Sequence, residues 1–345
     1  MAVHQARSRN SASMDSNLDS NLKINVGTRN SALAMIQAKT VHNALQKAYP
    51  QLEFEIHGMA TIGDKDQVTA LSKIGAKSLW TSELEDELNK GNLDMIVHCL
   101  KDLPTSLPEN LKIGCIMQRE DPRDVLIMRK DSNYSSLSEL PRGAVVGTSS
   151  LRRSAQVKRF FPHLEIKDVR GNIGTRLNKL DADDGKYSCL ILAAAGIKRM
   201  GWENRITSYL DSKAENIHYY AVGQGALAIE ILEGNDRIQD LINTLADKDS
   251  TLATTAERSL MRTLEGGCSV PIGVESTWIE KDKLTIKALV ISLDGAKSVE
   301  VEKTSQVLNL NDAEDFGEKV ARELVLSGAG QILEEVKKLI SSEVN

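Results

Sequence analysis

Segments with strand and helix periodicity alternate from Ile24 onward, and a chain that alternates in this way builds open sheets covered by helices. Ile24 and Val26 start a short strand, after which Leu33, Ile36, Val41, Leu45 and Ala48 share one helical face. Leu52, Phe54 and Ile56 alternate as a strand, Leu79, Leu84 and Leu88 mark a helix stopped by Gly91, and Leu93 to Cys99 reads as a buried strand. A second unit begins near Pro122, with strands expected at Val125 to Met128, Ala144 to Gly147, Leu164 to Val169 and Cys189 to Ala193. After about Asp249 the pattern changes. A helix runs to Leu264, then Leu284, Ile286, Ala288 and Val290 alternate before an Asp294-Gly295 hairpin turn, and one long amphipathic run from Phe316 to Ile340 closes the chain. The expected class is α/β: two α/β units followed by a small α+β domain.

A length of 345 residues fits two or three domains. The net charge of −5 argues against a nucleic-acid or anionic-membrane partner, and no apolar run approaches the length that crosses a bilayer. Four cysteines form no C-x-x-C pair and no metal-ligand spacing with the six histidines, which fits a reducing, cytoplasmic setting and no metal. Residues 1–22 are rich in Ser and Asn and read as a disordered leader, with Arg7 and Arg9 leaving an organellar transit peptide as the alternative.

Three places carry chemistry. Cys268 sits in Leu264-Glu265-Gly266-Gly267-Cys268-Ser269-Val270-Pro271, just past a helix stop, where a thiol suits covalent attachment or is simply inert. Lys101 and Asp102 follow a buried strand, the end at which open α/β sheets carry ligands, although a solvated charge pair before Pro104 reads equally well. His98, inside the same apolar run, reads as a hydrogen-bonded core residue. The third place is Gly147-Thr148-Ser149-Ser150-Leu151-Arg152-Arg153 with Arg170-Gly171-Asn172 and Arg176. From Arg142 to Arg176 eight basic residues face Glu165 and Asp168, a local charge of +6. The helix dipole disfavours Arg152 and Arg153 in a first turn, so an anion is expected to compensate, as a ligand or as a solvated face would. Gly223-Gln224-Gly225 runs into a strand pattern and Gly75-Ala76-Lys77-Ser78 lacks its upstream glycine, so no nucleotide site is expected.

Taken together the motifs resemble the porphobilinogen deaminase (hydroxymethylbilane synthase) family, in order: Gly27-Thr28-Arg29-Asn30-Ser31, Leu71-Ser72-Lys73-Ile74-Gly75, Lys101-Asp102, Thr148 to Arg153, Arg170-Gly171-Asn172, Ala221-Val222-Gly223-Gln224-Gly225 and the Cys268 loop. The resemblance implies a transferase of haem biosynthesis that joins four porphobilinogen molecules head to tail, losing ammonia each time, on a dipyrromethane cofactor bound through a thioether to Cys268. It implies that Asp102 is the catalytic carboxylate. Arg29, Lys101, Arg152, Arg153, Arg170 and Arg176 would clamp carboxylates, with Ser31, Thr148, Ser150 and Gln224 as hydrogen-bonding neighbours and Arg199 joining them. Lys73 and Lys77 would lie in a loop over the site. The chain departs from the family's usual pattern at Cys99 (commonly Ser), Ser82 (commonly basic), Tyr220 (commonly Pro) and Ile62, which interrupts Thr61 and Gly63-Asp64.

The implied fold has two periplasmic-binding-protein-like α/β domains and a small α+β C-terminal domain: 23–118 with 222–245, then 119–221, then 246–345. A monomer acting on a small substrate is the expected state. The rivals are a non-enzymatic two-lobed carboxylate-binding protein and a family member reduced to a scaffold.

Overall fold

Ile24 and Val26 are fully buried on strand β1 (Lys23–Arg29), packed against Ala38, Val41 and Leu45 of helix α1 (Ala32–Ala48). These elements open the computed structural model, which describes residues 23–61, 81–213, 218–264 and 270–344. Strand β1 runs parallel to β2 (Glu53–Met59) and to β3 (Met95–Cys99), and helix α2 (Ser82–Asn89) precedes β3. Strand β4 (Leu111–Ile116) joins this sheet only through Leu227–Leu232, labelled β10, which comes back from far along the chain and lies antiparallel to both β3 and β4. The sheet order is β2-β1-β3-β10-β4.

The second sheet repeats that plan. Its strands are β5 (Asp124–Met128), β6 (Val145–Gly147), β7 (Glu165–Lys167), β8 (Cys189–Ala193) and β9 (Ser208–Leu210), in the order β7-β6-β8-β5-β9. Strand β6 is parallel to β7 and β8, while β5 is antiparallel to β8 and β9. Helices α3 (Leu151–Phe160), α4 (Ile173–Leu180) and α5 (Ala194–Arg199) connect and cover it. The chain therefore crosses between the sheets twice, once before Asp124 and once before Leu227.

Helices α6 (Asp236–Asn243) and α7 (Lys248–Thr263) lead to a three-stranded antiparallel sheet of β11 (Ile272–Glu280), β12 (Lys283–Ile291) and β13 (Ser298–Gln306). Leu284, Ile286, Ala288 and Val290 of β12 are fully buried against α7 and α8 (Leu310–Leu326), as their alternation predicts. The last amphipathic run is two helices, not one, because Ser327-Gly328 divides α8 from α9 (Ala329–Val344). Helices α7 and α8 approach so closely that a Cβ on Gly317 would fall 2.2 Å from the Ala256 carbonyl oxygen. Periodicity did not mark β4, β9, β11 or β13. The expected leader at 1–22 lies outside the described residues.

Candidate active site

Leu100 and Leu103 are both fully buried, and between them one turn of 3-10 helix (Leu100–Asp102) at the end of β3 turns Lys101 and Asp102 onto a cleft. The facing wall comes from the second sheet, where β6 delivers the start of α3 and β8 that of α5. Ser150 caps α3 by accepting from the Arg153 N–H, and Asn172 caps α4 by accepting from the Thr175 N–H. The cleft holds about 810 Å³ and is lined by Arg29, Ser31, Lys101, Asp102, Arg153, Arg170, Arg176, Arg199 and Gln224. Among the described residues six cations thus surround one acid, in a chain of net negative charge.

Several of these cations are poorly solvated. Burial, with the Arg153 charge acting the same way, pushes Arg176 down to about 10, while its Nε donates to the Gly171 carbonyl at 2.7 Å. Burial lowers Arg199, whose Nη2 donates to the Gly225 carbonyl at 2.6 Å, and burial lowers Lys101 against the opposing pull of Asp102. Lys101 Nζ donates to Gln224 Oε1 at 3.4 Å. Anions relieve such a cluster, so the arrangement is built for a ligand with several carboxylates or phosphates. The Gln224 turn fits here because the two crossings touch: Gly225 has φ +91, and a Cβ on it would fall 2.3 Å from the Glu120 carbonyl oxygen.

One expected clamp, Arg152, and two expected hydrogen-bonding neighbours, Thr148 and Ser150, lie off the cleft wall. Arg152 is 5% exposed and spends Nη1 on Asp124 Oδ2 at 2.8 Å and on the Tyr219 carbonyl. The anion expected to compensate Arg152 and Arg153 is therefore Asp124, part of the protein itself. Thr148 is buried and its hydroxyl accepts from the Ser150 N–H at 3.1 Å, while Ser150 serves as the helix cap. Ser149 lines the cleft instead and donates to the Val169 carbonyl at 2.7 Å. Cys268, Lys73 and Lys77 lie outside the described residues.

His98 is a core residue, as expected, with Nε2 2.9 Å from the buried Glu230 carboxylate. Cys99 lines the cleft and accepts from Gln37 Nε2 at 2.9 Å. Burial pushes its thiol up, Asp102 adds to that, and Lys101 opposes without prevailing, so the thiolate that a neighbouring lysine would favour is not the resting form. Sequence reasoning missed Asp124, His218, Arg119 and Glu257. The one available signal was a carboxylate at the mouth of the apolar run Val125-Leu126-Ile127-Met128.

Two family models match the chain: porphobilinogen deaminase, dipyromethane cofactor binding domain, over residues 24–240, and porphobilinogen deaminase, C-terminal domain, over residues 251–325. A Neurospora crassa protein named porphobilinogen deaminase is 50% identical over 322 residues, covering 91% of this chain and 94% of the relative. One of the same name from Candida albicans is 48% identical over 326 residues, covering 92% and 94%. Among solved structures, a substrate binding domain of a putative amino acid ABC transporter from Streptococcus pneumoniae superposes with a TM-score of 0.41 at 14% identity, covering 65% of this chain and 91% of that one.

Proposed function

The chain belongs to the porphobilinogen deaminase family, and we propose that its cationic cleft is where porphobilinogen is deaminated and joined head to tail into hydroxymethylbilane. The protein is a transferase of porphyrin biosynthesis with a dipyrromethane cofactor. One observation supports the placement above others: Arg29, Lys101, Arg153, Arg170, Arg176 and Arg199 converge around Asp102. Each pyrrole carries an acetate and a propionate, so the donor set fits the cofactor and a substrate unit beside it. Each charge-assisted bond contributes about 1.5 to 3 kcal/mol.

When bound, the dipyrromethane supplies the pyrrole carbon to which the first substrate unit is joined. The arginines and Lys101 bind carboxylates and hold the reacting rings in register. Asp102 faces the pyrrole N–H, stabilises the positive charge that spreads into the substrate ring as ammonia departs, and exchanges the proton lost on bond formation. Ser31 and Gln224 orient neighbouring groups, while Ser150 supports the wall by capping α3. Lys73 and Lys77 are assigned to a loop covering the site.

Cys268 is assigned the thioether, because it is the thiol of the Gly-Gly-Cys-Ser-Val-Pro sequence that carries the resemblance to the family. Domains of 23–118 with 222–245, 119–221 and 246–345 suit this division of labour. A cytoplasmic protein working without nucleic acid or membrane is the reading that the net charge of −5 and the cysteine spacing support, and we take it to act as a monomer. Intact mass of purified protein tests the assignment. The native chain should carry the added mass of a dipyrromethane and Cys268→Ala should not; pigment retained in the variant refutes the attachment site.

A further inference from the structure

Asp124 is fully buried at the first position of β5, where the chain enters the second sheet. Its two oxygens serve different parts of the molecule. Oδ2 accepts from Arg152 Nη1 at 2.8 Å and lies 2.9 Å from His218 Nε2, tying the start of α3 to the returning crossing. Oδ1 accepts from Arg153 Nη2 at 2.7 Å and from Gln224 Nε2 at 2.9 Å, and both of those residues line the cleft. Burial alone would raise the Asp124 carboxyl. Arg152, Arg153 and His218 override it and hold the group ionised, well below the usual carboxylate range.

The consequence lies in what remains for a ligand. Arg153 Nη1 donates to the Ile191 carbonyl at 2.9 Å, so each terminal nitrogen has one N–H committed to the protein and keeps a second, and its buried Nε has no partner among the described residues. Gln224 spends Nε2 on Asp124 and on the Pro122 carbonyl at 2.7 Å, which turns Oε1 toward Lys101.

We propose that Asp124 is a positioning residue for chain assembly: through Oδ1 it fixes Arg153 on the cleft wall so that its guanidinium meets a pyrrole carboxylate, and fixes Gln224 so that its oxygen holds Lys101 beside Asp102. The inference rests on the cleft being the substrate site. An asparagine at 124 presents an NH₂ group to one of two guanidiniums and loses the charge that orients both. The clamps act on substrate before and during reaction alike, so loosening them raises KM and leaves kcat. A merely structural Asp124 gives the opposite result, fewer folded molecules with KM unchanged.

Initial rates against porphobilinogen concentration, normalised to bound pigment, decide between these. Asp124→Asn should raise KM at least about tenfold with kcat within about threefold; unchanged KM overturns the proposal. Gln224→Leu spares both arginine pairs and tests the Gln224 arm should the asparagine variant not fold: raised KM per folded molecule is expected, and normal KM overturns the proposal. Arg176→Leu separates the two layers, because Arg176 bonds Gly171 and not Asp124. If KM moves in Arg176→Leu and not in Asp124→Asn, the positioning role alone falls; if it moves in neither, the cleft reading falls with it.

Discussion

Replacing Glu257 by Gln removes one charge from a buried carboxylate that accepts four hydrogen bonds. Glu257 is fully buried on α7 and accepts from Arg119 Nη1 at 2.7 Å and Nη2 at 3.1 Å, from the Ser276 hydroxyl at 2.6 Å and from the Gly223 N–H at 2.8 Å. Arg119 in turn donates Nε to the Gln224 carbonyl at 2.8 Å and lies over the Tyr220 ring at 5.1 Å. Burial alone would lower the Arg119 pKa; Glu257 reverses that and holds it above the ordinary value. Leaving such a buried cation without its partner costs about 3–5 kcal/mol. At about 2–4 °C per kcal/mol this is a drop in melting temperature of roughly 6–20 °C, read by circular dichroism on the unliganded protein. The double change Arg119→Met, Glu257→Met should recover most of the loss, since apolar replacement of a buried pair is close to neutral. A Glu257→Gln protein melting within about 2 °C of the native one, or a double variant whose loss equals the sum of the singles, would refute the reasoning.

Asp102→Asn should keep porphobilinogen binding and lose turnover by about a hundredfold or more, measured by steady-state rates and equilibrium binding; near-normal turnover would return Asp102 to a surface charge pair. Cys99→Ser should stay active. In the native chain the raised thiol pKa makes alkylation of Cys99 slow at neutral pH and climb only above the ordinary thiol value of 9.0, with porphobilinogen protecting. Mass-mapped labelling that is fast at pH 7 would contradict this.

The helices, most central strands, the core role of His98 and the strand-end position of Lys101 and Asp102 were legible because each depends on local periodicity. Strand β10 was visible as an apolar run, yet nothing local says that it inserts between β3 and β4. Arg152 and Arg153 looked interchangeable as ligand clamps with a free cost to the helix dipole. The structure separates them: both grip Asp124, one oxygen each, and only Arg153 also reaches the cleft. Leucine at either position would therefore unbalance a buried carboxylate, a loss that outweighs the relief of removing a cation from the first turn of a helix. Asp124 and Glu257 escaped notice because a lone acid in a sequence carries no sign of the distant cations that bury it.

The late insertion of β10 also sets an order of events during synthesis. When β4 has left the ribosome, its ladder partner has not yet been translated, and β3 and β4 wait with unpaired edges while residues 124–210 of the other sheet emerge. That second sheet is contiguous in the chain and is free to close first. The first remains an incomplete template, with Ile96, Val97, His98 and Cys99 on an open edge, until Leu227–Leu232 arrives to seal it. A pause or truncation before residue 227 thus leaves a half-made sheet open to pairing with other nascent chains, and the strand from which Asp102 hangs is among the last parts of the cleft to be secured.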